Sequence, residues 1–121
     1  MILGGHEFDV KDPTFVDKTK INEESIDRYH DLLLREGNRK AALSIFKAGF
    51  KPNPEPIKTI QIPTLIIWGD QDQLINVSNA YLFNKDIMGS KLVVLQNVGH
   101  APMEETPSKV AAAICAFLNI P

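Results

Sequence analysis

Cysteine is nearly absent from this sequence: Cys115 stands alone among 121 residues. One thiol cannot close an internal disulfide, so a reducing, cytoplasmic setting is the expectation. Long apolar runs are missing too, none approaching the roughly 20 residues that span a bilayer. The opening MILGGHEFDVKD carries neither the basic region nor the long apolar region of a secretory signal, so no membrane is expected as a partner. Basic charge is not in excess. Thirteen Lys and Arg stand against fifteen Asp and Glu, a net charge of -2, which leaves no electrostatic footprint for nucleic acid or anionic lipid. Metal-ligand spacings, phosphate loops and dinucleotide fingerprints are lacking, and no cofactor and no metal are expected. Internal repeats and low-complexity tracts are lacking as well. At 44% hydrophobic and 23% charged, the chain reads as one ordinary globular domain.

What the sequence does contain is a change of pattern near its middle. Pro52, Pro54 and Pro56 crowd the stretch GFKPNPEPIK, where each removes a backbone donor and disfavours helix. This predicts a linker, dividing a helical segment with its linker (1–56) from the remainder (57–121). Ahead of the linker, Asn22 is placed to cap a helix whose first turn holds Glu23 and Glu24, at the positive end of the dipole. Ile26, Tyr29, Leu33 and Leu34 then form an amphipathic stripe. Gly37-Asn38 breaks it, and RKAALSIFKAGF predicts a second helix stopping near Gly49, completing a helical hairpin.

Beyond the linker, TLIIW and KLVVLQ are short, apolar and β-branched, as strands covered on both faces are. Between them Asn76 can cap a helix with Val77, Ala80 and Tyr81 on one face. After the second strand, Thr106 can cap another helix with Pro107 in its first position, where the missing N–H is no loss. Val110, Ile114, Phe117 and Leu118 supply that helix with a buried stripe. Cys115 is expected in the same core, as are Trp68 and Tyr81. Strand, helix, strand, helix predicts a parallel βαβα unit of the α/β class.

In open parallel sheets, sites form where loops converge at the carboxyl ends of the strands. Asp72 follows the first strand closely, and His100 follows the second. On neighbouring strands both side chains emerge at one edge of the sheet. A carboxylate beside a histidine accepts its Nδ1–H, fixes the tautomer and leaves Nε2 free to take a proton from a nucleophile. Taken singly, each has a plainer reading. Asp70 and Asp72 suit a turn in which they bond their own backbone, and a histidine after glycine suits a solvated loop.

PTLIIWGDQDQLI followed by KLVVLQNVGHAPMEETP resembles the C-terminal part of the α/β-hydrolase family. The resemblance is specific over Ile60 to Leu118, about half the chain. It implies that Asp72, rather than Asp70, is the triad acid and that His100 is the base. It further implies that Glu105 is an acid buttressing the histidine loop and that Pro107 opens the final helix. Residues 1–56 resemble, more weakly, the mobile helical cap of that family. The implied fold is the C-terminal βαβα of a partial doubly wound parallel sheet with an N-terminal helical cap segment.

The third triad member is missing. The family carries its nucleophile ahead of the acid, in Gly-x-Ser-x-Gly at a strained strand-to-helix turn. Ser25, Ser44, Ser78, Ser90 and Ser108 all lie outside that motif, and no Asp or Cys replaces it. Gly4-Gly5-His6 reverses the order of an oxyanion loop. It reads as a loop leaving a truncated strand of which MIL is the remnant. On the cap, His30 suits a surface or cavity wall, Tyr29 suits core packing more than a pocket, and Phe8, Phe15, Leu32 and Phe46 suit either.

The expectation is therefore a C-terminal fragment of a serine-type ester or acyl hydrolase, supplying acid and base and inactive alone. Two alternatives stay open. One is a non-catalytic α/β interaction module or a subunit completed by another chain. The other is an epoxide hydrolase or dehalogenase parent with an aspartate nucleophile. The complete enzyme would act on a small-molecule ester. A family sheet has about eight strands, so the strand TLIIW should expose an edge, and a homo-oligomer joined there or by cap exchange is expected.

Overall fold

The computed structural model describes residues 13–49 and 53–120 in full, and residues 2–3 and 6–7 as backbone. Met1, Gly4, Gly5 and Phe8 lie outside the described residues. Strand β1 (Ile2–Leu3) pairs antiparallel with β2 (His6–Glu7), with Ile2 opposite Glu7 and Leu3 opposite His6. This corrects the expectation of a stub in the main sheet, because the two pairs of strands form separate sheets. A two-residue strand finds its partner close by in sequence, where closing the loop costs least.

Helices α1 (Glu23–Leu34) and α2 (Asn38–Ala48) form the expected hairpin. The Asn22 side chain accepts from the Ser25 amide at 2.9 Å, and Ser25 Oγ accepts from the Asn22 amide at 3.3 Å, closing a reciprocal cap. Gly37 takes φ 85° between the helices, which an L side chain rarely adopts. The proline stretch is not all linker. Helix α3 (Glu55–Lys58) starts at Pro54 and carries Pro56 in its first turn, where absent amides leave no bond unmade. Ile57 and Ile60 then pack on the main core.

Strands β3 (Leu65–Gly69) and β4 (Lys91–Leu95) run parallel and in register, from Leu65 opposite Lys91 to Gly69 opposite Leu95. Helix α4 (Ser78–Asp86) makes the crossover. A single turn, α5 (Pro102–Glu105), and then α6 (Pro107–Leu118) follow β4. The core gathers Ile66, Ala80 and Ile87, with Trp68, Val77, Phe83 and Leu92 against them. Asn76 Oδ1 accepts from the Ser78 amide at 2.9 Å, the capping expected of it, although the residue next to the helix is Val77.

Burial departs from the predicted stripes in several places. Tyr81 is 55% exposed, one residue and about 100° round the helix from fully buried Ala80. On α6, Val110, Ala113 and Phe117 are half-buried, whereas Ile114 and Leu118 face outward. Cys115 is half-buried, not a core residue. Most positions of β3 and β4 are likewise half-buried rather than covered on both faces. Two strands make a sheet narrower than the apolar faces that the helices offer it.

Candidate active site

The carboxyl ends of β3 and β4 are laced together. The Asp70 amide donates to Leu95 O at 3.0 Å, and the Gln71 amide donates to Val98 O at 3.0 Å. Asp70 Oδ1 accepts from the Val98 amide at 3.4 Å, and the Gln71 side chain donates to Asn97 Oδ1 at 2.9 Å. Asn97 adopts φ 56°, a left-handed conformation that asparagine tolerates at a tight turn. Asp70 is thus a loop-to-loop tie.

Asp72 is 8% exposed and uses its two oxygens differently. Oδ1 accepts from the Leu74 and Ile75 amides, each at 2.9 Å, which is the turn role expected of an aspartate here. Oδ2 lies 2.9 Å from His100 Nδ1. The turn reading and the pairing reading therefore both hold, one on each oxygen. Burial alone raises the Asp72 pKa; bonds from the Ile75 amide, the His100 ring and the Leu74 amide outweigh it and leave the carboxyl below its ordinary value.

His100 sits in the loop beyond β4, with its side chain 36% exposed. Its amide donates to Thr14 O at 2.7 Å. With Nδ1 turned to an ionised carboxylate, the neutral ring carries its proton there and offers Nε2 as the acceptor. His100 also lines a cavity of about 640 Å³, whose walls include Phe15, Ile26, Tyr29, Leu33 and Met103. The residue whose Nε2 is left to take a proton thus forms part of the wall of a largely apolar chamber.

The α1 side of that chamber corrects one expectation. Tyr29 is not packed in a core; it lines the cavity and its hydroxyl donates to Glu104 Oε1 at 3.4 Å. Arg28 Nη2 reaches Glu104 Oε2 at 3.2 Å, so α1 is tied to α5 across the chamber wall. His30 and Phe15 line the cavity, a role that was among those expected of each. Leu32 and Phe46 are exposed instead.

Glu105, 3% exposed, accepts from the Gly99 amide at 2.7 Å, from Asp17 at 2.9 Å and from Val16 at 3.1 Å. Sequence reasoning missed residues 13–17 as neighbours of His100. The contact runs through backbone atoms more than 80 residues away in sequence, and backbone atoms leave no residue-type signal.

Three of the five serines are occupied locally. Ser25 Oγ donates to Asn22 O at 2.8 Å, Ser44 Oγ to Lys40 O at 2.7 Å, and Ser90 Oγ to Asn84 Oδ1 at 3.1 Å. Among the described residues, no group of three or more His, Cys, Asp or Glu is placed to hold a metal ion. None of the helices among them is long and apolar enough to cross a membrane.

Residues 11–107 match the sequence model for the alpha/beta hydrolase fold. Mouse monoacylglycerol lipase ABHD6 is 39% identical over 90 residues, covering 74% of this chain and 24% of the relative. Lipase 1 of Psychrobacter immobilis is 38% identical over 64 residues, 53% of this chain and 20% of that one. Among solved structures, a serine hydrolase involved in carbazole degradation superposes with a TM-score of 0.72 at 30% identity, covering 82% of this chain and 40% of that one. The chain therefore spans about a quarter or less of the length of these two curated relatives.

Proposed function

This chain belongs to the α/β-hydrolase fold family, and on that premise we propose that it supplies the acid and the base of an ester-hydrolysing centre. The bond of 2.9 Å between Asp72 Oδ2 and His100 Nδ1 carries the reading. His100 Nε2 takes the proton of a hydroxyl as its oxygen attacks the ester carbonyl. Asp72 holds the ring in that tautomer and stabilises the imidazolium that forms. The imidazolium then gives its proton to the departing alkoxide, which leaves as the alcohol. Water, deprotonated by the same nitrogen, cleaves the acyl-enzyme to the carboxylic acid.

The hydroxyl that attacks comes from outside these 121 residues, since no Gly-x-Ser-x-Gly elbow lies within them. Members of a triad act as a unit, so the chain by itself has little turnover. Its substrate is a lipid ester, a monoacylglycerol or similar. Two observations support this: the apolar walls of the chamber beside His100, and relatives described as monoacylglycerol lipases. The free chain associates with itself through surface left uncovered by its two-stranded sheet.

Complementation tests the reading. The isolated chain should leave short acyl esters and 1-monoacylglycerols at the background rate. Co-expression with the nucleophile-bearing part of the mouse relative should restore hydrolysis. That hydrolysis should fall about a thousandfold or more in His100→Ala. Turnover by the isolated chain that survives every serine substitution but vanishes in His100→Ala would sink the proposal, because a different nucleophile would then be at work.

A further inference from the structure

Three layers of backbone meet at His100 with no side chain between them. The first is the end of β3, where a Cβ on Gly69 would lie 2.2 Å from the carbonyl oxygens of both Val98 and Gly99. The second is the histidine loop itself, where a Cβ on Gly99 would lie 2.5 Å from the carbonyl oxygen of Thr14. The third is Pro13 to Asp17, which leads through a 3-10 turn (Lys18–Lys20) into α1. Real Cβ atoms do not approach backbone so closely, so glycine at both positions is what lets the layers touch.

Hydrogen bonds lock the second layer to the third. His100 N donates to Thr14 O at 2.7 Å. One carboxylate then bridges the two segments: Glu105 Oε2 takes the Gly99 amide, and Oε1 takes the amides of Val16 and Asp17. A carboxylate can only accept, and bonds to an ionised acceptor are stronger than neutral ones. Pulling either segment away strips donors from a buried charge, which is costly.

We infer that Thr14 to Asp17 is a positioning strap for His100, and that it joins the base and the cap wall of the cavity into one mechanical unit. The inference rests on reading His100 as the base. The strap holds the loop that presents the ring to Asp72, and it also sets where α1 begins. Along α1, Ile26, Tyr29 and Leu33 line the cavity that His100 faces. Displacing α1 therefore displaces the histidine loop, and filling the cavity against α1 bears on the bond between His100 and Asp72.

Gly99→Ala is the selective wedge. Gly99 does not have the left-handed φ that an alanine would resist, so the added methyl group acts on the Thr14 carbonyl and leaves Asp72, His100 and Glu105 intact. Glu105→Gln is the second variant, keeping the volume while turning one acceptor into a donor that faces amide N–H groups. Nitrogen-15 NMR of the 121-residue chain reads both. In each variant the His100 Nδ1–H should exchange with solvent at least tenfold faster than in the wild type. The amides of α1 should lose protection with it, while those of β3 and β4 keep theirs. An unchanged Nδ1–H in both variants would overturn the inference. So would loss of β3 and β4 protection in both, since the segment would then support the fold at large. This measurement reads a hydrogen bond and no turnover, so failure of the hydrolase reading and failure of the strap remain distinguishable.

Discussion

Asp72→Asn isolates what the charge on that side chain does. The amide oxygen can still close the turn on Leu74 and Ile75, but the amide nitrogen can only donate toward His100 Nδ1. The ring must then carry its proton on Nε2, the nitrogen that is needed as an acceptor. Nitrogen-15 NMR should show Nδ1–H in the wild type and Nε2–H in the variant. Urea unfolding at pH 7 should show a loss of about 1.5–3 kcal/mol, the usual worth of bonds to a charged group. The pH dependence follows from the lowered Asp72 pKa. A carboxyl depressed in the folded state adds stability above its unfolded value, about 3.9, and that stability is lost as pH falls through the folded value. Stability of the wild type should therefore decline below about pH 4, more steeply than that of Asp72→Asn, as urea titrations across pH 2–6 would register. Much of this site was legible residue by residue. Trp-Gly-Asp-Gln-Asp and Gly-His-Ala-Pro gave both members of the pair, and the distance between them falls in hydrogen-bond range. The tie from Asp70 to the Val98 amide was not legible, because its partner is a backbone group 28 residues away.

Among the elements, β3, β4 and the longer helices could be placed from periodicity, capping residues and glycine stops, whereas the β1–β2 pair could not. What they face could not. The stripe on α1 is amphipathic, as expected, but its apolar side looks onto a chamber rather than into a core. Periodicity says that one face avoids water; it does not say what covers that face. The same limit misplaced Tyr81, Ile114 and Leu118, whose spacing suits a wider sheet than two strands provide. Helix α3 was hidden for another reason, since proline counts against helix everywhere except the first turn, where Pro56 sits. The junction of β3 with the histidine loop is where an element depends on one atom. Gly69→Ala would drive a methyl group against two carbonyl oxygens that cannot swing aside as a side chain would. Overpacking of this kind costs about 1–3 kcal/mol. The melting temperature should fall by about 4 °C for each kcal/mol lost. An unchanged melting temperature would show that the loop shifts freely and that the close approach is not needed.

At the scale of the whole molecule, the parallel sheet consists of β3 and β4 alone among the described residues, so each of these strands has one side without a strand partner there. Leu82 on α4 and Ile114 and Leu118 on α6 are exposed around it, large apolar groups on the two long helices that accompany the sheet. Unpaired strand backbone invites another strand, and apolar helix faces favour association by removing area from water. A second copy offers both at once, through the same surface on each partner. Light scattering at micromolar concentration should accordingly give at least twice the 13.5 kDa of one chain. Leu118→Glu, which sets a charge on the exposed face of α6 without touching the site, should shift the population toward monomer. Co-expression with the nucleophile-bearing segment should do the same if that segment covers the same surface, and the heterocomplex should then replace the homo-oligomer. A wild-type chain that is monodisperse as a monomer would mean that its own helices already shield the edge of β3, and association would have to be abandoned.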